Sequence, residues 1–597
     1  MKMPYRTLHL DQTRRMFTSS ILERSWALSS AVSLSIIGSM LFVLCTGCGE
    51  SSQTAGSLSE AEELTGVQIQ RGDGPDKSDG AEHLHPTSRA IPSGLLVDPQ
   101  MHTLFAPDDP TMTLELEMIE RVIKARRADA RGNDSYRIRY AVYNMTSELI
   151  TNKLIEAQRS GVDVQVLIES EQLSAHKTWN LINERFLEAG LSVEYDHRHL
   201  SETELQNVDL IGIEAPGLMH LKLRIFETPT WSKVLTGSLN PNTTSYLNEE
   251  TLHLITDPSL IAKYQLAYQH LLYDWPHVNT WDDESSTNVL FTPAGDGPRA
   301  VTQILKWIAE EDEQILLMMF ALRDLTAPGI ESSLIELLAS KVEAGVPVYV
   351  ITDRKQSDGV NNQGERVFDD DLTEDRLRSA GVHVYESLNA ATPYTAIHHK
   401  VAILGVENIR VISGASNWSR SGLGGHDRRA RNVESVLFID SAQLDQNYTG
   451  HRFLGQWFQV LRRYAAYSVT QDREPEVTEV FKALSQNPHW PQQTFSFEVK
   501  SHVTQEGEHI AVAGDLFELG MWGAHGYHQL VTTADEFPLW WSLEPLKVPI
   551  GQDVTWKQVV VDEQGTIMRW EGGTRYILSL RPPLMVNQEI VFRGSWR

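Results

Sequence analysis

Two short stretches, His220-Leu221-Lys222-Leu223-Arg224-Ile225 and His398-His399-Lys400-Val401-Ala402-Ile403, decide how this chain folds. In the first, Leu221, Leu223 and Ile225 alternate with His220, Lys222 and Arg224, the period of a strand with one apolar and one polar face. His220 and Lys222 therefore point the same way. In the second, His398 and Lys400 share a face, while His399 lies on the opposite one with Val401 and Ile403; chemistry is assigned to His398, and His399 reads as a packing or supporting residue. A glycine turn follows each, Gly237-Ser238-Leu239-Asn240 beginning 17 residues after His220 and Gly414-Ala415-Ser416-Asn417 beginning 16 residues after His398. Such a turn puts the amides of Asn240 and Asn417 within reach of the same His-Lys face. Acids come next, in Asn248-Glu249-Glu250 and Asn432-Val433-Glu434. A carboxylate bonded to one imidazole nitrogen fixes the tautomer and leaves the other nitrogen free, so Glu250 and Glu434 are candidate site residues.

Working outward, the two stretches prove to be parts of a longer repeat. Leu104-Phe105-Ala106-Pro107 recurs as Leu290-Phe291-Thr292-Pro293, each followed by a helix-like segment and an apolar strand, Tyr136 to Tyr143 and Gln314 to Ala321. Gly161-Val162-Asp163-Val164 is matched by Gly345-Val346-Pro347-Val348, and Ala189-Gly190-Leu191-Ser192-Val193 by Ala380-Gly381-Val382-His383-Val384. Offsets of 178 to 191 residues across these landmarks describe a domain duplication rather than a solenoid. Strands alternating with helices predict an α/β sandwich in each half, the first over 95–281 and the second over 282–470.

The duplicated His-x-Lys and Gly-x-x-Asn pattern resembles the phospholipase D superfamily, whose motif is H-x-K-x-x-x-x-D followed by G-[GS]-x-N. The resemblance runs from about Leu95 to Tyr467. It implies that both His-Lys pairs meet in one pocket about a pseudo-twofold axis, and that phosphodiesters are cleaved through a phosphohistidine without metal or cofactor. One imidazole attacks phosphorus and the other protonates the leaving oxygen; the family's pattern makes His220 the nucleophile and His398 the acid. Lys222, Lys400, Asn240 and Asn417 would stabilise the phosphoryl oxygens. Three positions depart from the pattern: Glu227 and Gly405 stand at the two Asp positions, and Ala415 where Ser is usual. The implied activity is that of a phospholipase D, a phosphoric diester hydrolase acting on phospholipids. A nuclease of the same superfamily and a catalytically degenerate glucan-binding lipoprotein are the alternatives.

Composition narrows the choice. The chain has 597 residues, 41% hydrophobic and 22% charged, enough for three or four domains. A net charge of −27 opposes the attraction on which sequence-independent nucleic-acid binding depends, so a nucleic-acid partner is disfavoured. The two cysteines, Cys45 and Cys48, allow no disulfide framework. Basic residues up to Arg24, an uncharged run from Ser25 to Leu44 and then Cys45-Thr46-Gly47-Cys48 resemble a bacterial lipoprotein signal, with 1–47 removed and lipid on Cys48. Removal takes away five positive and two negative charges and leaves −30. Residues 48–94, poor in apolar side chains, read as a flexible tether. The expected location is a bacterial outer membrane, periplasm or cell surface, the protein being a monomer held to the membrane by its lipid. Asp369-Asp370-Asp371 with Glu374 and Asp375 reads as a solvated acidic loop rather than a calcium site, and Asp196-His197-Arg198-His199 as pocket edge or surface.

After a linker over 471–493 the texture becomes all-β, and six of the chain's 15 tryptophans fall in the last 107 residues. Such density predicts exposed indoles, which stack on sugar rings. The order Phe495-x-Phe497, Glu518-Leu519-Gly520-Met521-Trp522, Pro538-Leu539-Trp540, Trp556-Lys557, Trp570-Glu571 and Trp596-Arg597 resembles the family-20 carbohydrate-binding module, the starch-binding domain. The resemblance implies an immunoglobulin-like sandwich over 494–597 that binds starch-like α-glucan, with Trp522 and Trp570 as stacking pair, Lys557 as polar partner and Trp540 mainly structural. An asparagine often found shortly after the second tryptophan is replaced by Gly572-Gly573-Thr574.

Overall fold

The computed structural model describes residues 69–70 and 100–596, except 131–134, 174–180, 360–371, 388–395, 468–489, 491, 515, 524–525, 550–552, 574 and 580–589. The export segment with Cys48, nearly all of the tether, the run Asp369-Asp370-Asp371 and most of the linker lie outside the described residues. No described helix is long and apolar enough to cross a membrane.

The first half runs through Met101–Ala106 (β1), Thr111–Ala128 (α1), Arg137–Val142 (β2), Glu148–Arg159 (α2), Asp163–Glu169 (β3), Val193–Glu194 (β4), Leu210–Ile213 (β5), Lys222–Glu227 (β6), Ser232–Gly237 (β7), Glu250–Ile255 (β8) and Pro258–Leu272 (α3). The second repeats it as Thr287–Thr292 (β9), Ala300–Glu310 (α4), Ile315–Met319 (β10), Leu334–Glu343 (α5), Val348–Asp353 (β11), Thr373–Ser379 (α6), His383–Ser387 (β12), Lys400–Leu404 (β13), Arg410–Gly414 (β14), Glu434–Asp440 (β15) and Tyr448–Tyr467 (α7). Local chemistry sets several boundaries. Ser147 caps α2, Ser333 closes a capping box with Glu336 at the start of α5, and Asp257 followed by Pro258 opens α3.

Sheet order is β1-β8-β7-β6-β2-β3-β5-β4 in the first half and β9-β15-β14-β13-β10-β11-β12 in the second. The orders agree strand for strand except that β5 is inserted beside β3. It takes the slot that β12 fills in the second half, and so the strand expected at Val193 is a two-residue edge. Apolar faces dictate the layering. One core joins the outer face of the first sheet to α1 and α2, and another joins the outer face of the second sheet to α4, α5 and α6. Between the sheets lie α3 and α7, whose Tyr264, Tyr268, Phe453, Trp457 and Phe458 share one core with β6 and β13. The halves thus share their central layer, in an α-β-α-β-α stack.

Polar contacts also cross between the halves. His253 bridges Thr103 Oγ1 and Ser413 Oγ at 3.0 Å each, and Arg452 on α7 binds Asp109 at 2.7 Å. His399 is buried on the face away from Lys400, 2.8 Å from Thr251 Oγ1, a packing position. His197 is buried and its Nδ1 accepts the Glu214 backbone N–H, while Arg198 is exposed, so that motif is part structural and part surface.

The C-terminal strands are Gln492–Lys500 (β16), His509–Gly514 (β17), His528–Val531 (β18), Leu539–Ser542 (β19), Leu546–Pro549 (β20), Asp553–Val561 (β21), Ile567–Trp570 (β22), Tyr576–Ser579 (β23) and Ile590–Ser595 (β24). One layer pairs β16 with β19, β20 and, in parallel, β24; the other pairs β21 with β17, β22 and β23; β18 joins both. They close as a β-sandwich over Phe495, Phe497, Trp540, Trp556 and Phe592.

Candidate active site

The chain just before β6 and just before β13 reaches across to the other half. Met219 bridges Val433, and His220 N–H donates to Val433 O at 2.9 Å; Glu249 bridges Ile397, and His398 N–H donates to Glu249 O at 2.9 Å. Each histidine therefore starts beside the acid of the opposite repeat. His220 Nδ1 lies 2.8 Å from Glu434 Oε2, and His398 Nδ1 lies 2.8 Å from Glu250 Oε2. Both Nε2 atoms are left for chemistry. Lys222 Nζ and Lys400 Nζ each donate at 2.7 Å to the carbonyl of the histidine two residues before it. The turns that carry Asn240 and Asn417 require glycine: Gly237 and Gly414 have φ of 146° and 148°, and a Cβ would fall 2.2 Å from Thr251 O or 2.4 Å from Ser435 O. Asn240 Oδ1 and Asn417 Oδ1 are buried without a partner among the described residues, which leaves both amide oxygens open to a donor from a ligand.

Burial governs the protonation of this cluster. It lowers His220 to about 4 against the opposing pull of Glu434, and lowers His398 well below the usual imidazole range with help from Lys400, Lys222 and His220. Lys400 falls to about 8 and Lys222 well below its ordinary value, again through burial, opposed by Glu250 and Glu434. Glu250 is pushed up to about 8 by burial, against Lys400 and the hydroxyl of Ser238. Lys222 and Lys400 each act on the histidines of both halves, so both His-Lys pairs occupy one electrostatic neighbourhood. The His398–Glu250 pair holds a proton at neutral pH, whereas His220 stands neutral.

The departures from the motif have local causes. Ser238 Oγ donates to Glu250 Oε2 at 2.5 Å; at Ala415 that donor is missing, and Asn432 Nδ2 reaches Glu434 Oε1 at 3.3 Å instead. Glu227 and Gly405 each lie five residues beyond a site lysine, about 17 Å along the strand at about 3.3 Å per residue. Glu227 accepts from Gln265 Nε2, and Gly405 turns with φ 86° while donating to Gln314 O. Neither touches the histidines.

Several residues were not singled out from the sequence. Tyr143 stands 5.0 Å from the His220 ring and Phe320 4.7 Å from the His398 ring, at equivalent places just after β2 and β10. Their common position in the repeat was the available signal. Tyr143 carries a polar network through Gln172 and Asn144, whereas Phe320 packs under Lys400 at 4.9 Å. Glu169, whose carboxylate accepts the Met219 N–H, and Asp353 end the equivalent strands β3 and β11, and burial raises both to about 7.

In the sandwich, the Trp522 and Trp570 rings lie 6.0 Å apart at 36°, and Trp570 is 43% exposed. Trp570 pairs with Val559, so it shares an outward face with Lys557 two residues earlier. Trp540 and Trp556 are core, the former donating to Ser501 O at 3.3 Å. Arg575, unremarked in the sequence, lies 4.5 Å over the Trp522 ring.

Comparison with known proteins bears on these features. A family model described as "Cardiolipin synthase, PLD-like domain" matches residues 131–272 and 304–453, and one described as "Starch binding domain" matches 492–581. No curated protein matches. Among solved structures, a polyphosphate kinase from Porphyromonas gingivalis is 16% identical over 65% of this chain and 50% of its own, with a TM-score of 0.41. The chain thus spans about half the length of that kinase. A phosphatidylserine synthase from Haemophilus influenzae Rd KW20 is 14% identical over 64% of this chain and 94% of its own, with a TM-score of 0.41. The family 20 module of a maltotetraose-forming amylase from Pseudomonas saccharophila STB07 is 22% identical over 17% of this chain and 99% of its own, with a TM-score of 0.15.

Proposed function

We propose, for a chain that carries a duplicated phosphodiesterase-like domain of the phospholipase D superfamily followed by a family-20 starch-binding domain, that it hydrolyses phospholipids through a phosphohistidine while holding a starch-like α-glucan. The observation that carries the mechanism is the crosswise bonding of each histidine to the acid of the other half. With Nδ1 bound to Glu434, neutral His220 presents the Nε2 lone pair to phosphorus. As the P–N bond forms, the bond from phosphorus to the leaving oxygen breaks, and that oxygen takes the Nε2 proton of His398, whose pair with Glu250 supplies it. Water then gives a proton back to His398, its oxygen bonds to phosphorus, and the P–N bond breaks. Lys222, Lys400, Asn240 and Asn417 line this path and stabilise the charge spread over the phosphoryl oxygens.

Changing His398 to Asn removes the partner needed to release the intermediate, so acid-labile, alkali-stable phosphate should accumulate on His220; full turnover in His220→Ala would refute the mechanism. Incubation with mixed phospholipids, a nucleic acid and a chromogenic phosphodiester identifies the substrate, and cleavage of the nucleic acid alone would make the protein a nuclease. The glucan role rests on the Trp522–Trp570 pair. A fragment from about Gln493 to Arg597 should sediment with granular starch and lose that binding in Trp522→Ala/Trp570→Ala. A folded fragment that ignores starch would end the role. Lipid on Cys48 would hold the protein at a bacterial membrane; Cys48→Ser should abolish incorporation of labelled fatty acid, and a label that persists would remove the anchor.

A further inference from the structure

The pocket is twofold in its reacting groups but not in what supports them. Behind the first half lies a closed polar cluster. Arg224, wholly buried on β6, forks onto Glu115 of α1, with Nε–Oε1 and Nη2–Oε2 both 3.1 Å. Tyr140 and Tyr246 hydroxyls donate to the same carboxylate at 2.9 Å each. The remaining arm of the guanidinium, Nη1, donates to Leu239 O at 2.7 Å and to Lys222 O at 3.3 Å. Those two carbonyls belong to a site lysine and to the residue immediately before Asn240.

The second half supplies the comparison. By strand register, Tyr140 opposite Arg224 corresponds to Leu317 opposite Ala402. Six residues after the turn asparagine, Tyr246 is matched by Leu423, and α4 presents Val301, Ile304 and Leu305 where α1 presents Glu115. All of these second-half residues belong to one apolar core. An α/β half of this kind therefore packs without a buried ion pair. Replacing such a pair by apolar residues is often neutral or stabilising, so stability alone does not account for retaining one.

We propose that Arg224, locked by Glu115, is a positioning residue that fixes the backbone carrying Lys222 and Asn240, and so makes the first half the rigid cradle for the phosphoryl group bound to His220. The proposal rests on the phosphodiesterase reading above. A planar guanidinium held at both ends has one orientation, and its third contact passes that orientation to two carbonyls on adjacent segments. In the second half, Ala402 holds the position of Arg224 and has no side-chain donor to offer the carbonyl before Asn417. A half without that lock suits His398, which must serve a leaving alcohol and then a water.

The test is the variant Glu115→Leu/Tyr140→Phe/Arg224→Met/Tyr246→Phe, which copies the apolar character of the second half, removes every charged and hydroxyl group of the cluster, and takes the arginine donor only from the carbonyls of Leu239 and Lys222. It should keep the thermal midpoint and starch binding of the wild type. Its kcat on bis(p-nitrophenyl) phosphate should fall on the order of 10²-fold, the scale of losing reactant alignment, with a smaller change in KM. Its affinity for inorganic phosphate, measured by titration calorimetry, should fall about tenfold or more. A folded variant with wild-type kcat and phosphate affinity overturns the proposal. Should the fourfold variant fail to fold, Arg224→Lys decides: a single ammonium keeps the charge against Glu115 but cannot reach both carbonyls, and wild-type kcat there also overturns it. A wild type inactive on every phosphodiester would sink the activity reading instead, and the phosphate titration would then judge the cradle by itself.

Discussion

Glu434 should matter to His220 although 214 residues separate them. Glu434→Gln keeps the shape of the side chain and removes its charge from the imidazole. A hydrogen bond to a charged group contributes about 1.5–3 kcal/mol, and about 1.4 kcal/mol is a factor of ten in rate. The positive charge that grows on His220 as it bonds phosphorus would lose that support, so the chemical step should slow by about 10- to 150-fold. Glu250→Gln should act differently, because in the proposed mechanism Glu250 serves the histidine that protonates the leaving group. With bis(p-nitrophenyl) phosphate the leaving phenolate needs little help from an acid; with a short-chain phosphatidyl ester the leaving alkoxide needs it fully. Stopped-flow measurement of phenolate release, beside single-turnover hydrolysis of the lipid, separates the two. Glu434→Gln should slow both substrates alike, and Glu250→Gln should slow the lipid far more than the aryl diester. Equal loss on both substrates in both variants would refute the division of roles, and unchanged rates in Glu434→Gln would refute the crosswise support.

Further outcomes follow from the same geometry. The kcat/KM profile should fall above about pH 8, where the His398–Glu250 pair loses the proton it supplies; Ser238→Ala, which removes a bond that lowers Glu250, should move that limb upward, and an unmoved limb would assign it to Lys400 instead. His253 is lowered to about 3 by burial. Above pH 6.5 it is neutral folded and unfolded; as pH falls from 6.5 toward 3 only the unfolded chain takes the proton, and stability is lost at up to about 1.4 kcal/mol per pH unit. Acid titration of denaturant midpoints should show that slope reduced in His253→Gln relative to wild type, and identical slopes would mean that His253 does not contribute. Gly405→Asp restores the motif residue, but at φ 86° its Cβ would meet Asn408 O at 2.8 Å. It should cost roughly 1–3 kcal/mol without raising kcat, and a gain in turnover would show that the position acts on the pocket.

Much of this arrangement was legible because polarity alternates. Leu221, Leu223 and Ile225 against His220, Lys222 and Arg224 name a strand and its faces, and the second copy gives the pseudo-twofold arrangement its partner. What alternation cannot say is what covers each face. Lys222 and Arg224 read as the polar side of a strand, yet both are wholly buried, Arg224 because α1 brings Glu115 down onto it and Lys222 because it lies against the His220 carbonyl and the Tyr143 ring. Nor does spacing tell which acid serves which histidine. Glu250 follows His220 by 30 residues and Glu434 follows His398 by 36, so proximity in the chain favours pairing within a half. The halves exchange these acids because backbone bridges at Met219–Val433 and Glu249–Ile397 place each carboxylate beside the other's imidazole, a long-range contact with no local trace. One mark of asymmetry did lie in plain view. Val401-Ala402-Ile403 lacks the alternation of Leu223-Arg224-Ile225, and a duplicated strand that has the histidine and lysine but no arginine is one whose support comes from apolar side chains. The two halves are thus alike in their histidines, lysines and asparagines and unlike in the groups that hold them, an asymmetry that supports the proposed division of labour between His220 and His398.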